Sequence, residues 1–465
     1  MRIISLILSV IIVQLCCLPT QAQIGPKRVP SPSELGAMID SIETLVIQKY
    51  IDAAMGQETA DYIHQRHAQG YYDALSLDSL GQALRKDFLT VSGDVHMNAF
   101  YSQLQATPKA SLLATKTDEY GESSNYGYVD VNISRDNIGY LKVAHFTKWA
   151  FFEEAKKAVD HSMAMLKNTD ALIIDLRGNP GGFEDIAAYL MSYFFVGDES
   201  ELQAYYCRYL DRRRSVSLSP ELPGLPMPDL PVFILVNYDT GSAAESFAYM
   251  MKHRERARVI GDTTVGAGNG STYFRVNDDF MVQIATWETI NAVTQTSWEK
   301  VGVLPHITTS EAAAMDTALS LAKAASQKHR ADKLAYYQSH LDALETAIKD
   351  HKAGDSAQPI VAALTACQKL KFFDESAINN LGYQFFIDEK NPAVAAAIFE
   401  ANTLLYPQSA NVYDSYAEAL VAIDRLEAAL ASYQKAVAIA EANQDPSLPL
   451  FQENLAKLKA EIAKQ

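Results

Sequence analysis

Residues 171–182 read ALIIDLRGNPGG, a short apolar run that ends in a glycine-rich loop. The run has no polar residue before Asp175, which is typical of a strand with both faces buried. A second apolar run, Pro231–Val236 (PVFILV), ends in the loop 237–242 (NYDTGS) and precedes an apolar helix at Ala243–His253. Buried strands separated by helices predict an α/β core with a largely parallel sheet.

Further segments continue the alternation around these two runs. Additional strands are predicted at 140–143, 259–260 and 281–285, and additional helices at 153–166, 183–194 and 310–328. The preceding segment has helical periodicity instead, with short helices at 61–68 and 76–89 separated by Gly70. A helix starting within 31–34 has one apolar face, formed by Leu35, Met38, Ile39, Ile42, Leu45 and Val46.

The first residues predict a secretory signal peptide. Arg2 is followed by the largely apolar stretch 3–15 and then by Thr20-Gln21-Ala22, which offers small residues at the two positions that signal peptidase recognises. We therefore expect cleavage after Ala22 and a periplasmic or secreted mature protein. A lipid-modified start at Cys16 or Cys17 is disfavoured, because neither cysteine follows a small residue.

Charge and cysteine content narrow the function further. The chain has 465 residues, with 40 basic and 56 acidic side chains and a net charge of −16. The acidic balance disfavours nucleic-acid and anionic-membrane partners, and no apolar run reaches the roughly 20 residues that span a bilayer. The mature chain keeps only Cys207 and Cys367, too few for a disulfide framework. No cofactor or metal is expected, since His64 and His67 alone are too few ligands for a closed site.

After residue 328 the chain becomes alanine-rich with helical periodicity. Aromatic and small residues recur at a spacing of about 34, for example from Phe399 to Tyr433. This period resembles tetratricopeptide repeats, and a generic helical bundle is the alternative. The predicted organisation is a signal peptide (1–22), an N-terminal helical segment (23–100), an α/β core (101–328) and a helical domain (329–465).

Two loops of the core are candidates for chemistry. A hydroxyl at Ser242 would lie near the free N–H groups of the following helix, where a developing oxyanion is stabilised. Ser242 and Glu245 also have the spacing of a capping box, which is the favoured interpretation for this segment alone. The loop 175–182 by itself favours a plain strand–helix turn, and its spacing fits neither phosphate-binding motif. Because the carboxyl ends of parallel strands meet at one edge, both loops can face one crevice.

Together, the two loops resemble the C-terminal-processing (tail-specific) serine peptidase family. A strand ending in Asp-Leu-Arg-x-Asn-x-Gly-Gly is followed 60 residues later by Gly-Ser-Ala-x-Glu. The resemblance covers roughly residues 85–310 and implies a crotonase-like (ClpP/crotonase-type) fold. It implies Ser242 as nucleophile and an oxyanion hole formed by Gly181 or Gly182 with Ala243.

One departure from the family's processing branch indicates a different base. Ala267 stands where that branch has its lysine, and a serine hydroxyl needs a base at neutral pH. Residues 93–96 (GDVH) look like the histidine motif of the tricorn and retinoid-binding-protein-like branch, and residues 298–305 (WEKVGVLP) look like its Glu-x-x-Gly-Val-x-Pro segment.

Carried over, these motifs imply a triad of Ser242, His96 as general base and Glu299 as the carboxylate that orients it. Val95 stands where the tricorn-like pattern has a serine, which leaves part of the hydrogen bonding of Glu299 unassigned. The short interval from His96 to the strand at 140 leaves no room for an inserted PDZ module.

The predicted function is a secreted serine peptidase that hydrolyses peptide bonds in peptide or protein substrates through an acyl-enzyme. A non-catalytic ligand- or protein-binding protein on the same fold is the alternative. A further alternative is a scaffold in which the C-terminal repeats bind a protein partner and the core is secondary.

Overall fold

A computed structural model describes residues 28–101, 121–196 and 201–464. The predicted signal peptide, 1–22, lies outside these residues. The chain divides into two compact units, Met1–His329 and Arg330–Gln465. In the described part of the chain, no helix combines the length and apolar character needed to cross a membrane.

The first unit combines an N-terminal helical segment with two sheets. In chain order its elements are α1 (Pro32–Lys49), α2 (Ala53–Ala68), α3 (Leu77–Ser92), β1 (Asn98–Tyr101), β2 (Tyr128–Ile133), β3 (Ile138–Val143), α4 (Phe152–Leu166), β4 (Ala171–Asp175), α5 (Glu184–Ser192), β5 (Gln203–Cys207), β6 (Arg212–Val216), β7 (Val232–Val236), α6 (Ala243–His253), β8 (Arg258–Gly261), β9 (Gly270–Arg275), β10 (Phe280–Asn291), β11 (Ile307–Thr308) and α7 (Glu311–Asp350), which continues into the second unit.

The helix start predicted near Ser31 is confirmed. The Ser31 hydroxyl accepts a hydrogen bond from the N–H of Glu34 at 3.3 Å, which satisfies one of the free donors of α1. The predicted apolar face is buried except for the half-buried Leu45. Gly70 ends the second helical stretch with φ 74°, a conformation that favours glycine.

The predicted largely parallel sheet is confirmed. Its six strands lie in the order β11-β8-β7-β4-β3-β2, and every pair is parallel except β2–β3. Leu172 and Ile174 of β4 pack in the core cluster formed with α4, α5 and α6. Ala171 and Ile173 face the other side, where they pack with alanines of α7. Burial of both faces is the reason that β4 reads as a continuous apolar run.

A second, antiparallel sheet is largely absent from the sequence prediction. It has the order β1-β10-β5-β6, with β9 paired to β10. Only the first half of β10, residues 281–285, was predicted as a strand. Strand β6 was missed because it begins Arg212-Arg213-Arg214-Ser215 and exposes those four residues, so it has no apolar run to mark it.

The described part of the second unit is helical, as predicted. Its helices after α7 are α8 (Gln358–Lys369), α9 (Glu375–Tyr383), α10 (Pro392–Leu405), α11 (Ala410–Ala422), α12 (Leu426–Asn443) and α13 (Leu448–Ile462), with a π-helical turn at Gln384–Asp388. Small and aromatic residues do pack together: Gly382 lies against the Phe399 ring, and Tyr433 is buried beside Ala417. Whether these helices are tetratricopeptide repeats stays a prediction.

Candidate active site

Ser242 occupies a strained turn between β7 and α6. Its backbone has φ 50° and ψ −120°, whereas the ordinary serine caps Ser31 and Ser76 are extended, with φ of −65° and −66°. Ser242 and Glu245 do form a capping box, in which the N–H of Ser242 donates to Glu245 Oε2 at 2.8 Å. A plain cap requires no positive φ, and strain of this kind, about 1–3 kcal/mol, is concentrated at functional sites.

Glu245 holds this turn from within the protein. Its fully buried carboxylate accepts hydrogen bonds from the N–H groups of Ser242, Gly266 and Ala267 and from the Thr264 hydroxyl. Burial raises the pKa of Glu245, and the four hydrogen bonds oppose that rise. Glu245 therefore ties the serine turn to the loop 264–267.

The predicted glycine loop lies directly against Ser242. A Cβ added at Gly181 would lie 2.6 Å from the Ser242 Cβ and 2.9 Å from the Ala243 nitrogen, so this close approach requires glycine. The N–H of Gly181 donates to Asn179 Oδ1 at 2.9 Å. Within the described ranges, no acceptor is hydrogen-bonded to the N–H of Gly182 or of Ala243. Two backbone donors, one in the residue after Gly181 and one in the residue after Ser242, are thus available in these two adjoining loops.

His96 lies in the segment that follows α3, beside an aspartate. Asp94 Oδ1 accepts a hydrogen bond from the backbone N–H of His96 at 2.9 Å and lies 3.5 Å from His96 Nδ1. The other oxygen, Asp94 Oδ2, accepts from the Tyr50 hydroxyl at 3.3 Å and from Asn269 Nδ2 at 3.0 Å. The Asp94 side chain is fully buried and that of His96 is 12% exposed, so water screens this pair weakly.

Glu299 reaches the same pocket from the segment after β10. Its Oε2 accepts hydrogen bonds from the N–H groups of Gly268 at 2.7 Å and Asn269 at 3.0 Å. Its Oε1 is buried and has no hydrogen-bond partner within the described ranges. One side-chain oxygen or nitrogen from each of Asp94, His96 and Glu299 lies within 4.8 Å of the others.

The charges in this pocket perturb one another. Burial, reinforced by the charge of Asp94, raises the pKa of Glu299 to about 7. Burial opposes ionisation of Asp94 as well, but the hydrogen bond and charge of His96 lower its pKa overall. Burial disfavours the His96 imidazolium, yet Asp94 and then Glu299 outweigh it and raise the pKa of His96. The pocket therefore favours a cation between two carboxylates.

The structure brings the predicted site residues into two groups. Ser242 lies against Gly181 and beside Ala243, Gly182 is the next residue of the same glycine loop, and His96 lies with Glu299. Both Ser242 and His96 are described, and no hydrogen bond joins their side chains in this structure; such contacts are often long before substrate binds.

The sequence analysis assigned no role to Asp94. Its signal was the two-residue spacing to His96, which lets an aspartate accept a hydrogen bond from the N–H two residues later.

Residues 137–309 match the model of peptidase family S41. This segment contains every predicted site residue except His96. The chain is 28% identical over 173 residues to the carboxyl-terminal-processing protease of Synechocystis sp., which covers 36% of this chain and 37% of that protein. It is 26% identical over 204 residues to the carboxy-terminal processing protease CtpA of Bacillus subtilis, covering 39% and 40% of the two chains.

The chain thus spans about two fifths of the length of these two relatives. A solved lipoprotein structure from Streptococcus agalactiae has a TM-score of 0.44 at 17% identity and covers 62% of this chain and 95% of that chain. The family match and the curated relatives support the predicted enzyme class, a serine-type peptidase.

Proposed function

We propose that this protein is a secreted serine peptidase of the S41 type that hydrolyses peptide bonds through an acyl-enzyme. The observation that carries the proposal is the strained Ser242 turn, held by Glu245 against a glycine loop, with the N–H groups of Gly182 and Ala243 unpaired among the described residues. A binding protein has no need for this combination, whereas acyl transfer uses a positioned serine and oxyanion donors, and backbone strain is concentrated at functional sites.

In the proposed mechanism, His96 accepts the Ser242 proton as the serine oxygen attacks the substrate carbonyl carbon. The N–H groups of Gly182 and Ala243 donate to the resulting oxyanion. Of the two predicted glycine donors we assign Gly182, because the N–H of Gly181 is already engaged by Asn179. His96 then protonates the leaving amine, and it activates the water that releases the acyl group from the serine.

Glu299 is the carboxylate that we propose stabilises the His96 imidazolium during the reaction, with Asp94 as a second carboxylate that holds the histidine backbone. Ala267 is buried where a lysine base would fall, and its N–H and carbonyl oxygen bond to Glu245 and to the Trp298 indole. These contacts support the lysine-less tricorn and retinoid-binding-protein-like branch, with a crotonase-like core.

The remaining parts of the chain complete the proposal. Residues 1–22 act as a cleavable signal peptide that directs the protein to the periplasm or outside the cell. The helical region 329–465 forms tetratricopeptide-like repeats that bind a protein partner or a protein substrate. Substrate selection is left to the crevice and to these helices, with no inserted PDZ module.

The test is cleavage of a diverse peptide library, followed by mass spectrometry. The wild type is expected to cleave, and Ser242→Ala and His96→Ala are expected to reduce cleavage below detection. Ser76→Ala is the matched control, because it removes an ordinary serine cap whose hydroxyl accepts from Ser79, and it should cleave like the wild type. Cleavage that survives in Ser242→Ala would remove the nucleophile assignment, and a wild type that cleaves nothing would favour the binding-protein alternative.

A further inference from the structure

The pocket around His96 holds two carboxyl groups beside one imidazole. Asp94 is fully buried, Glu299 is half-buried, and both lie close to the same histidine. An imidazolium can pair with only one of the two carboxyl groups, so the other is relieved either by a proton or by a bound cation. Buried charges are retained when they are paired or when they coordinate a metal ion.

The carboxylates of this pocket are oriented by hydrogen bonds in the way that metal ligands are. Glu299 Oε2 and Asp94 Oδ2 are each held by two hydrogen bonds, and Asn269 contributes to both. Glu299 Oε1 and His96 Nδ1 are buried, and neither has a hydrogen-bond partner in the described chain. Outer hydrogen bonds that orient carboxylates while leaving one atom open are characteristic of metal ligands.

The separations suit a small divalent ion. In a tetrahedral zinc site the ligands lie about 2.0–2.2 Å from the metal, which places neighbouring ligand atoms about 3.3–3.6 Å apart. Asp94 Oδ1 and His96 Nδ1 are already 3.5 Å apart, and all three ligand-type atoms lie within 4.8 Å of one another.

We propose that Asp94, His96 and Glu299 form a binding site for Zn²⁺ whose occupancy reversibly inhibits the enzyme. One imidazole and two carboxylates suit zinc, whereas Mg²⁺ and Ca²⁺ require more oxygen ligands. Zinc on Nδ1 leaves the proton on the other ring nitrogen, so His96 cannot accept the Ser242 proton. The inhibition rests on the proposed peptidase function; the binding of zinc does not.

Zinc binding is measured on the full-length Ser242→Ala variant by calorimetry and by competition with a chromophoric zinc indicator. This variant removes the nucleophile and keeps all three ligands, so we expect one Zn²⁺ per chain and no comparable binding of Mg²⁺. Adding Glu299→Gln or His96→Ala is expected to weaken zinc binding at least tenfold. Adding His64→Ala, which removes an exposed histidine that contacts Glu43, should leave the affinity unchanged.

The wild type supplies the second readout. Its peptidase activity should fall as one equivalent of Zn²⁺ is added and return fully with a chelator. Zinc binding that is equal in Ser242→Ala with and without Glu299→Gln, in variants with native circular dichroism, would overturn the site. Stoichiometric zinc binding together with a wild type that cleaves no peptide would instead contradict the proposed function and uphold the zinc site.

Discussion

The two halves of the candidate site are built differently. In the serine half, which comprises the glycine loop and the turn from Ser242 to Glu245, the buried carboxylate of Glu245 accepts four hydrogen bonds. The histidine half contains two carboxylates beside one imidazole, with Glu299 Oε1 and His96 Nδ1 unpartnered in the described chain. The comparison indicates that rigidity is concentrated around the nucleophile, while the histidine pocket keeps atoms available for a proton or a cation.

The largest expected effect is in the glycine loop of the serine half. Gly182 has φ 136°, and a Cβ there would collide with the carbonyl oxygen of Phe146. Gly182→Ala is therefore expected to lower peptidase activity about 10²–10³-fold, because the loop that carries the proposed oxyanion donor must shift.

Gly178→Ala is the matched control for that loop. Gly178 has φ 72° and open space around the position of a Cβ, so alanine there costs only backbone strain, about 1–2 kcal/mol, and activity should persist. Peptidase kinetics and thermal unfolding of both variants separate the two effects. Equal losses of activity in the two variants would show that backbone strain, and not the close contact at Gly182, causes the loss.

A matched pair of amide substitutions tests the comparison directly. Glu245→Gln places an amide N–H₂ against donors that now bond to a carboxylate, so the free energy of unfolding should fall by about 2–4 kcal/mol. Glu299→Gln keeps the acceptor for Gly268 and Asn269 and removes a charge beside Asp94, so the change should stay within about 1 kcal/mol. Denaturant unfolding at pH 7 measures both, and similar losses in the two variants would contradict the difference between the halves.

The serine half should also carry a pH dependence of stability. Glu184, at the start of α5, accepts hydrogen bonds from Ser246 Oγ at 2.6 Å and Gln203 Nε2 at 3.1 Å. Burial raises the pKa of Glu184 to about 7, although Ser246 and Tyr205 work against the rise. The folded state therefore prefers the neutral carboxylic acid, and this contribution to stability is present below pH ~4.5 and is lost as the pH rises to about 7.

Glu184→Gln should remove this dependence. Relative to the wild type, its free energy of unfolding is expected to rise by about 2–3 kcal/mol between pH 4.5 and pH 8. Unfolding curves collected across that range test the sign, since the difference between the two proteins isolates this one group. A difference that is flat with pH, or that falls, would place the ionised form of Glu184 in the native state.

The smallest effect is expected at the edge of the histidine half. Tyr50→Phe removes the 3.3 Å hydrogen bond to Asp94 Oδ2, which still accepts from Asn269. The free energy of unfolding should fall by about 0.5–1.5 kcal/mol. Tyr72→Phe, which removes the 2.7 Å hydrogen bond to Asp87 away from this pocket, is the control for loss of a buried tyrosine hydroxyl. A much larger loss at Tyr50 would mean that the histidine half is as rigid as the serine half.

The predicted elements have a sequence pattern within their own residues, whereas the missed elements depend on pairing with distant segments. Strands β4 and β7 could be predicted because burial on both faces produces a continuous apolar run. Strands β5 and β6 were not, since their pairing depends on a distant partner, β10, and not on an apolar pattern of their own. Helix α7 was expected to end at 328 and continues to Asp350, because no glycine or proline interrupts it there.

What the sequence by itself determined is the strand–turn–helix unit that carries Ser242, together with the glycine loop after β4. Apolar runs, turn residues and helix starts act over a few residues, so they can be recognised in a single sequence. Only the tertiary structure decided that Asp94 and His96 meet Glu299, about two hundred residues away, and that the N–H groups of Gly182 and Ala243 have no acceptor among the residues that the structure describes. Such arrangements depend on how distant segments pack and on which donors that packing leaves unpaired, and local propensity encodes neither.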